Sequence, residues 1–342
     1  MRLGIIGAGW VAMNAYIPAG AKVTHVLDID PSRATELAAR CGAVVVWDLD
    51  ALVAQVDALI VCTPPHEHPD ALLLAMRARK PALCEKPVIR APAEAELDPR
   101  LVMGSATTRL RDDVQQLLRW VEEERLGGLR RVALRWIRGA GVPAPGSWRT
   151  DRACAPLGVL EDLGPHLLDV AQAIVPDDDP RVVESVLACR HGACPRSAAW
   201  FGGEGNSSYA VPDYCAARLA TAPGVEVQIE VAWADAEPRD VAQIVIEGER
   251  GRAALDGLFG FSTERRVAEQ TCRLASGGAV ELLHLDPGPG AQQRAFSRSI
   301  QRFERFCLGL APACADAHEI RRVARWMELI EEHHRLMREM PQ

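Results

Sequence analysis

The fold predicted for this chain is an α/β domain on a parallel sheet, followed by an α+β domain on a large open, mostly antiparallel sheet. Three observations predict it. Up to residue 106, short apolar runs alternate with stretches of helical period, as strands do when helices cross over between them. Beyond residue 182, strand-like runs succeed one another with no helix long enough for a parallel crossover. The 342 residues, 48% hydrophobic and 25% charged, suffice for two cores. The expected division is 1–106 and 107–342, with the C-terminal helices free to pack back on the first domain.

The first strand, Arg2–Ile6, opens directly into Gly7-Ala8-Gly9-Trp10-Val11-Ala12. This is a strand followed by G-x-G-x-x-A. Gly7 permits the tight turn, Gly9 lets backbone approach a pyrophosphate, and Ala12 allows close packing of helix on strand. Trp10 and Val11 then open a helix whose free N–H groups face the anion. Asp28 ends the second apolar run, Val23–Leu27, about 20 residues beyond the glycines, where a carboxylate binds the adenosine ribose in a Rossmann domain. Such a carboxylate repels a 2′-phosphate, so NAD is the expected cofactor, with NADP tolerated. Two alternatives stay open: Asp28 and Asp30 also fit a capping turn before Pro31, and Arg33 suits either adenine stacking or a phosphate.

Further strands read at 43–47, 58–62, 81–84 and 101–106, with helices over Ala34–Arg40, ending at Gly42, and Pro69–Arg79. Asp112–Arg125 is an amphipathic helix closed by Gly127-Gly128, and Leu129–Arg138 alternates as a strand does. Strands follow at 182–189, 214–220, 225–234, 241–247, 251–255 and 279–285, then a helix over Gln301–Met340 broken at Gly309–Pro312. Residues 191–213, rich in Gly, Ser and Pro, read as a surface loop. Between the two strand regions lies Gly158–Asp169. Pro165 suits a first helical turn, and apolar residues continue through Ile174. Asp162 and His166, four apart, reach one side of that helix entrance. The helix dipole lowers the imidazole pKa and a nearby carboxylate opposes it, a balance suited to moving an alcohol proton. Equally, Asp162 could cap the helix and His166 pack.

Composition excludes several classes. A net charge of −7 offers no footprint for nucleic acid or an acidic membrane. With the first strand at residue 2, neither a leader nor a membrane span is expected. The ten cysteines form no CxxC pair, and Cys62 and Cys84 lie in apolar runs, which suits a reducing cytoplasm. His66-x-His68 with Asp70 lacks a third ligand cluster, so no metal is expected. His333-His334 reads as solvated surface, and Cys189 and Cys194 bracket His191 incidentally.

Thr63-Pro64-Pro65-x-x-His68, Cys84-Glu85-Lys86-Pro87, Ser147–Asp151 and Asp162-x-Gly-x-His166-x-x-Asp169 follow the glycine motif in order. The whole pattern resembles the Gfo/Idh/MocA family, named for glucose–fructose oxidoreductase, inositol dehydrogenase and a rhizopine-catabolism protein. The resemblance implies that Lys86 projects into the cleft toward the reacting oxygen, with the Lys86–Pro87 bond cis. It implies that Asp162 and His166 are the other two catalytic positions, that Thr63, Pro64 and His68 lie beside the nicotinamide and its ribose, and that Glu85 contacts the ribose. Which of Lys86 and His166 carries the proton stays open. Arg109, Trp148 and Arg149 are candidates to hold a polyhydroxylated small molecule; salt bridging or core packing suits them equally. The implied activity is hydride transfer between nicotinamide and a hydroxyl or keto carbon of a sugar, cyclitol or derivative. Reduction of a biosynthetic imine or carbonyl, and a dinucleotide-binding sensor without turnover, are the rivals. A homodimer or homotetramer through the open sheet is also implied. Three departures bear on the substrate: Ala91–Leu97 replaces a longer helix, Ala155–Gly158 replaces a glycine-rich approach, and 191–213 is unusual.

Overall fold

Leu3–Ile6 forms β1 and is buried along its whole length, as a strand covered on both faces must be. It begins the computed structural model, which describes residues 1–139, 141–144, 146–190, 209–234, 239–261, 271–284 and 290–339. Most of the 191–213 stretch, with His191 and Cys194, lies outside the described residues. Contacts divide the chain into two units: Met1–Leu110 with Gln293–Arg321, and Arg111–Gln292 with Arg322–Gln342.

In the first unit β2 (Val23–Leu27), α1 (Pro31–Cys41), β3 (Val44–Val45), α2 (Leu49–Gln55), β4 (Ala58–Val61), α3 (His68–Arg77), β5 (Ala82–Cys84) and β6 (Val102–Gly104) follow β1. The sheet is parallel throughout, in the order β3-β2-β1-β4-β5-β6. Strand order reverses between β1 and β4, and the crevice at their carboxyl ends is where such sheets bind ligands. Local chemistry sets the helix limits. Asp30 caps α1 by accepting from the Ser32 amide, Pro31 fills its first turn, and Gly42 ends it at φ 70°. Residues 85–101, between β5 and β6, contain no helix.

The second unit holds α4 (Asp112–Glu122), β7 (Leu129–Ile137), α5 (Val159–Asp162), α6 (Gly164–Ile174), β8 (Arg181–Ala188), β9 (Tyr214–Ala220), β10 (Glu226–Ala232), β11 (Val241–Gly248), β12 (Gly251–Gly257), β13 (Thr271–Ser276) and β14 (Ala279–His284). Its sheet runs β14-β13-β12-β11-β7-β10-β9-β8. Only the β7–β10 pair is parallel, and every other neighbouring pair is antiparallel. Alternation sorts the two faces. Val132, Leu134 and Trp136 of β7 and Val227, Ile229 and Val231 of β10 share a core with Leu117 of α4 and Leu167 of α6. The opposite face carries Arg131, Arg135, Gln228 and Glu230, with Arg135 donating to Glu230 at 2.7 Å.

Two helices complete the chain, α7 (Gly290–Cys307) and α8 (Ala317–Glu339). The structure differs from expectation here. β13 was not anticipated, and α7 begins eleven residues before Gln301. His333 and His334 do not simply face solvent: His333 Nδ1 lies 2.9 Å from Ser185 Oγ, and His334 Nδ1 accepts from the Leu187 amide at 3.4 Å. That end of α8 runs along β8, so the rings satisfy an edge strand.

Candidate active site

Gly7 adopts φ +91°, and a Cβ there would stand 2.7 Å from the Cys62 carbonyl, so only glycine fits the turn after β1. A Cβ on Gly9 would meet nothing within 4 Å. Backbone at Gly9 is therefore open to a ligand rather than to protein. Trp10 and Val11 begin the helix, which winds with i→i−5 bonds over Ala12–Tyr16, and Ala12 is fully buried. Asp28 is half-buried; its Oδ2 accepts from the Ala8 amide at 2.6 Å and its Oδ1 from the Asp30 amide at 2.7 Å. It thus braces the glycine loop, while Asp30 is the cap of α1. Each Asp28 oxygen keeps a lone pair for a ribose hydroxyl. Arg33 is exposed and pairs with Asp30 at 3.3 Å. The Thr63 hydroxyl is buried with no partner among the described residues. Open backbone at Gly9, a braced carboxylate and an unsatisfied hydroxyl beside the Gly7 turn fit a dinucleotide.

The segment after β5 joins this cluster. The Lys86–Pro87 peptide is cis, and Lys86 is half-buried. Glu85 is buried; its Oε1 accepts from Tyr16 Oη at 2.7 Å and from Ser105 Oγ at 2.8 Å. His68 is fully buried at the start of α3. Its Nε2 lies 2.8 Å from the Thr63 carbonyl and its Nδ1 2.9 Å from the Pro87 carbonyl. The neutral ring donates to one of these carbonyls and packs against the other, so it sits between the Thr63-Pro64 loop and the Lys86-Pro87 turn. Burial pushes its pKa down to about 4, outweighing the carbonyls, which act the other way. Arg109 is committed to Glu319 at 2.6 Å and to the Cys314 carbonyl at 2.8 Å.

In the second unit Asp162 ends α5 and His166 lies in the first turns of α6, separated by the break at Leu163. Leu163, the residue that precedes α6, makes no side-chain cap bond, and Asp162 lies one position before it. Its Oδ2 accepts from Trp233 Nε1 at 3.0 Å; Arg149 Nε lies 3.5 Å from Oδ1 and Arg138 Nη1 4.0 Å from Oδ2. Arg149 also stacks over Trp148, 4.3 Å from the ring centroid. Burial pushes the Arg138 guanidinium down, Asp162 and Asp240 oppose this, and Arg149 adds to it. The His166 ring tilts against Trp136 at 5.3 Å. The unit thus gathers Trp148, Arg149, Asp162 and His166 around two tryptophans. Tyr16, Ser105, Arg138 and Trp233 were missed from the sequence. Tyr16 offered a faint signal, an aromatic with a hydroxyl inside the first helix.

Among the described residues no group of three His, Cys, Asp or Glu could hold a metal ion, and no helix is long and apolar enough to cross a membrane. Residues 1–97 match the model of an oxidoreductase family with an NAD-binding Rossmann fold, and residues 114–254 match the Gfo/Idh/MocA C-terminal domain. The chain belongs to the Gfo/Idh/MocA family. This Gfo/Idh/MocA chain is 31% identical to a putative UDP-kanosamine synthase oxidoreductase subunit of Amycolatopsis mediterranei, over 78% of its own length and 77% of the relative's. It is 27% identical to the D-glucoside 3-dehydrogenase of Escherichia coli, over 75% and 77%. A levoglucosan dehydrogenase solved with NADH and levoglucosan shares the fold, with TM-score 0.80 at 18% identity, covering 98% of this chain and 97% of the other. The family member is thus an NAD(P)-dependent oxidoreductase working between CH–OH and keto states.

Proposed function

We propose that the substrate is a nucleotide-linked hexose and that the reaction interconverts a ring hydroxyl and ketone, at C3 of a glucose-type ring. The similarity to the UDP-kanosamine synthase subunit, over three quarters of both chains, carries this reading. The glucoside 3-dehydrogenase supports the position. Bound nicotinamide supplies or accepts the hydride. The chain's own groups then have separate tasks. The Lys86 ammonium stabilises alkoxide charge on the reacting oxygen, and His166 takes or returns its proton. Asp162, gripped by Trp233 and flanked by arginines, accepts from a neighbouring hydroxyl. Arg149 and Trp148 offer a cation and an aromatic face to the rest of the substrate. Gly7, Gly9, Trp10, Val11, Asp28, Arg33, Thr63, Pro64 and Glu85 hold the nucleotide, NAD before NADP. His68 acts through the backbone it clamps, and Arg109 through its ion pair.

Cysteines buried in strands, such as Cys84 and Cys215, suit a reducing cytoplasm, and the open face of the second unit's sheet favours a homo-oligomer. Arg131, Arg135 and Arg218 alternate there with Glu184, Glu226 and Glu230, a charge pattern that a second copy could complement.

The test is nicotinamide absorbance with NAD⁺ and UDP-glucose, methyl β-D-glucoside or myo-inositol, with hydroxylamine present to trap ketone. Reduction with UDP-glucose, and its loss by about 10²–10⁴-fold in Lys86→Met with NADH binding intact, is the expected result. Turnover of myo-inositol alone would replace the sugar reading with a cyclitol one. Nucleotide binding without turnover of any of the three would favour the rival readings.

A further inference from the structure

Tyr16 and Glu85, 69 residues apart, share a buried contact that the roles above do not use. The tyrosine is wholly buried in the helix that follows the glycine loop. Its hydroxyl donates to Glu85 Oε1 at 2.7 Å, Ser105 Oγ donates to the same oxygen at 2.8 Å, and the two hydroxyls lie 3.2 Å apart. Burial, then the Glu85 charge, pushes the phenol well above its ordinary pKa, so the proton stays available to donate. The ring is also braced. Phe296 meets it edge-on at 5.1 Å, while Gln293 and Ser297 donate to the carbonyls of Ala15 and Ala19, each at 3.0 Å. Glu85 Oε2 is engaged differently, by the Lys86 amide at a long 3.3 Å. One oxygen is thus saturated by two hydroxyls, while the other keeps acceptor capacity beside Lys86.

We propose that Tyr16 is a positioning residue for the dinucleotide: with Ser105 it fixes Glu85 so that Oε2 is presented to a ribose hydroxyl. The contact ties the helix whose N-terminus faces the pyrophosphate to the carboxylate that reads the sugar. The inference rests on the reading of Glu85 as a ribose ligand. A purely structural role would make the hydroxyl pair only a way to satisfy a buried carboxylate, with no effect on nucleotide affinity beyond general loosening.

Calorimetric titration with NADH separates the two. The proteins are wild type, Tyr16→Phe, Ser105→Ala, Glu85→Ala and Tyr16→Phe/Glu85→Ala, with melting temperatures measured alongside. Tyr16→Phe should raise Kd about tenfold, the size of a lost hydrogen bond to a charged group. Glu85→Ala should raise it at least as much, and the double variant should match Glu85→Ala alone. An unchanged Kd in Tyr16→Phe overturns the proposal, as does the same fold-change on both backgrounds. Glu85→Ala binding NADH as wild type does would sink the ribose reading and the proposal with it. Wild type failing to bind NADH would instead indict the cofactor assignment. If Glu85→Ala does not fold, Ser105→Ala takes its place: it should weaken binding several-fold and add little to Tyr16→Phe. Full additivity of those two changes overturns the proposal.

Discussion

Trp233 Nε1 donates to Asp162 Oδ2 at 3.0 Å, joining a wholly buried indole to a buried carboxylate 71 residues away. With Arg149 Nε 3.5 Å from Oδ1, the carboxylate plane is held from both ends. A carboxylate so held is suited to fixing a hydroxyl rather than swinging to carry a proton. Trp233→Phe keeps an aromatic ring in the core and deletes the N–H. The expected outcome is a fall in kcat/KM of about 10–100-fold, the size of a hydrogen bond to a charged group, with the Kd for NADH unchanged. Steady-state kinetics beside a nucleotide titration check it. Equal losses in both would mean that the indole only supports the fold.

His68 gives the fold a definite acid sensitivity. Its pKa falls from 6.5 to about 4 because the ring is buried. Between those values the unfolded chain binds a proton that the native one does not, so stability rises with pH. The contribution is complete above pH 6.5 and is lost as pH falls toward 4, amounting to about 3 kcal/mol at the limit. Urea denaturation at a series of pH values should show this slope in wild type. His68→Gln, which keeps a donor but cannot titrate, should flatten it by up to one proton. An unchanged slope would mean that the buried ring titrates normally.

What the sequence made legible follows the range of its signals. β1 and the G-x-G-x-x-A turn are contiguous, Asp28 directly follows the next strand, and both the end of α1 at Gly42 and the alternation of β10 are set by neighbouring residues. β13 escaped because only Cys272 and Leu274 of its six residues are buried, and β14 is exposed throughout. β13 buries too little to imprint a clear period, whereas β14 was legible from its composition alone. Partners distant in sequence were invisible for a different reason. Nothing near Asp162 announces Trp233, and nothing near Arg109 announces Glu319, because tertiary contacts alone bring them together. Asp162 and Arg149 were singled out in the sequence, but their pairing and the partners Arg138 and Trp233 were not.

Gly158 and Gly9 should fail in opposite ways. Gly158, at φ 53° and ψ −115°, sits where α5 begins, and a Cβ there would stand 2.1 Å from the Pro212 carbonyl oxygen. That oxygen also accepts from the Val159 amide at 2.9 Å, so relieving the clash breaks the bond that seats α5. Backbone strain of about 1–3 kcal/mol and a lost hydrogen bond of about 1 kcal/mol add in Gly158→Ala. Denaturation should therefore show a loss of roughly 2–4 kcal/mol, and turnover should drop because α5 carries Asp162. Gly9→Ala meets open space within the protein, so its melting temperature should stay within a degree or two of wild type, as for a surface change. Its added methyl instead occupies the approach to the pyrophosphate, and NADH affinity should fall at least tenfold, about 1.4 kcal/mol. Paired denaturation and nucleotide titrations of the two variants check both. A stable Gly158→Ala would mean that the α5 entrance relaxes freely, and undiminished NADH binding in Gly9→Ala would place the pyrophosphate elsewhere.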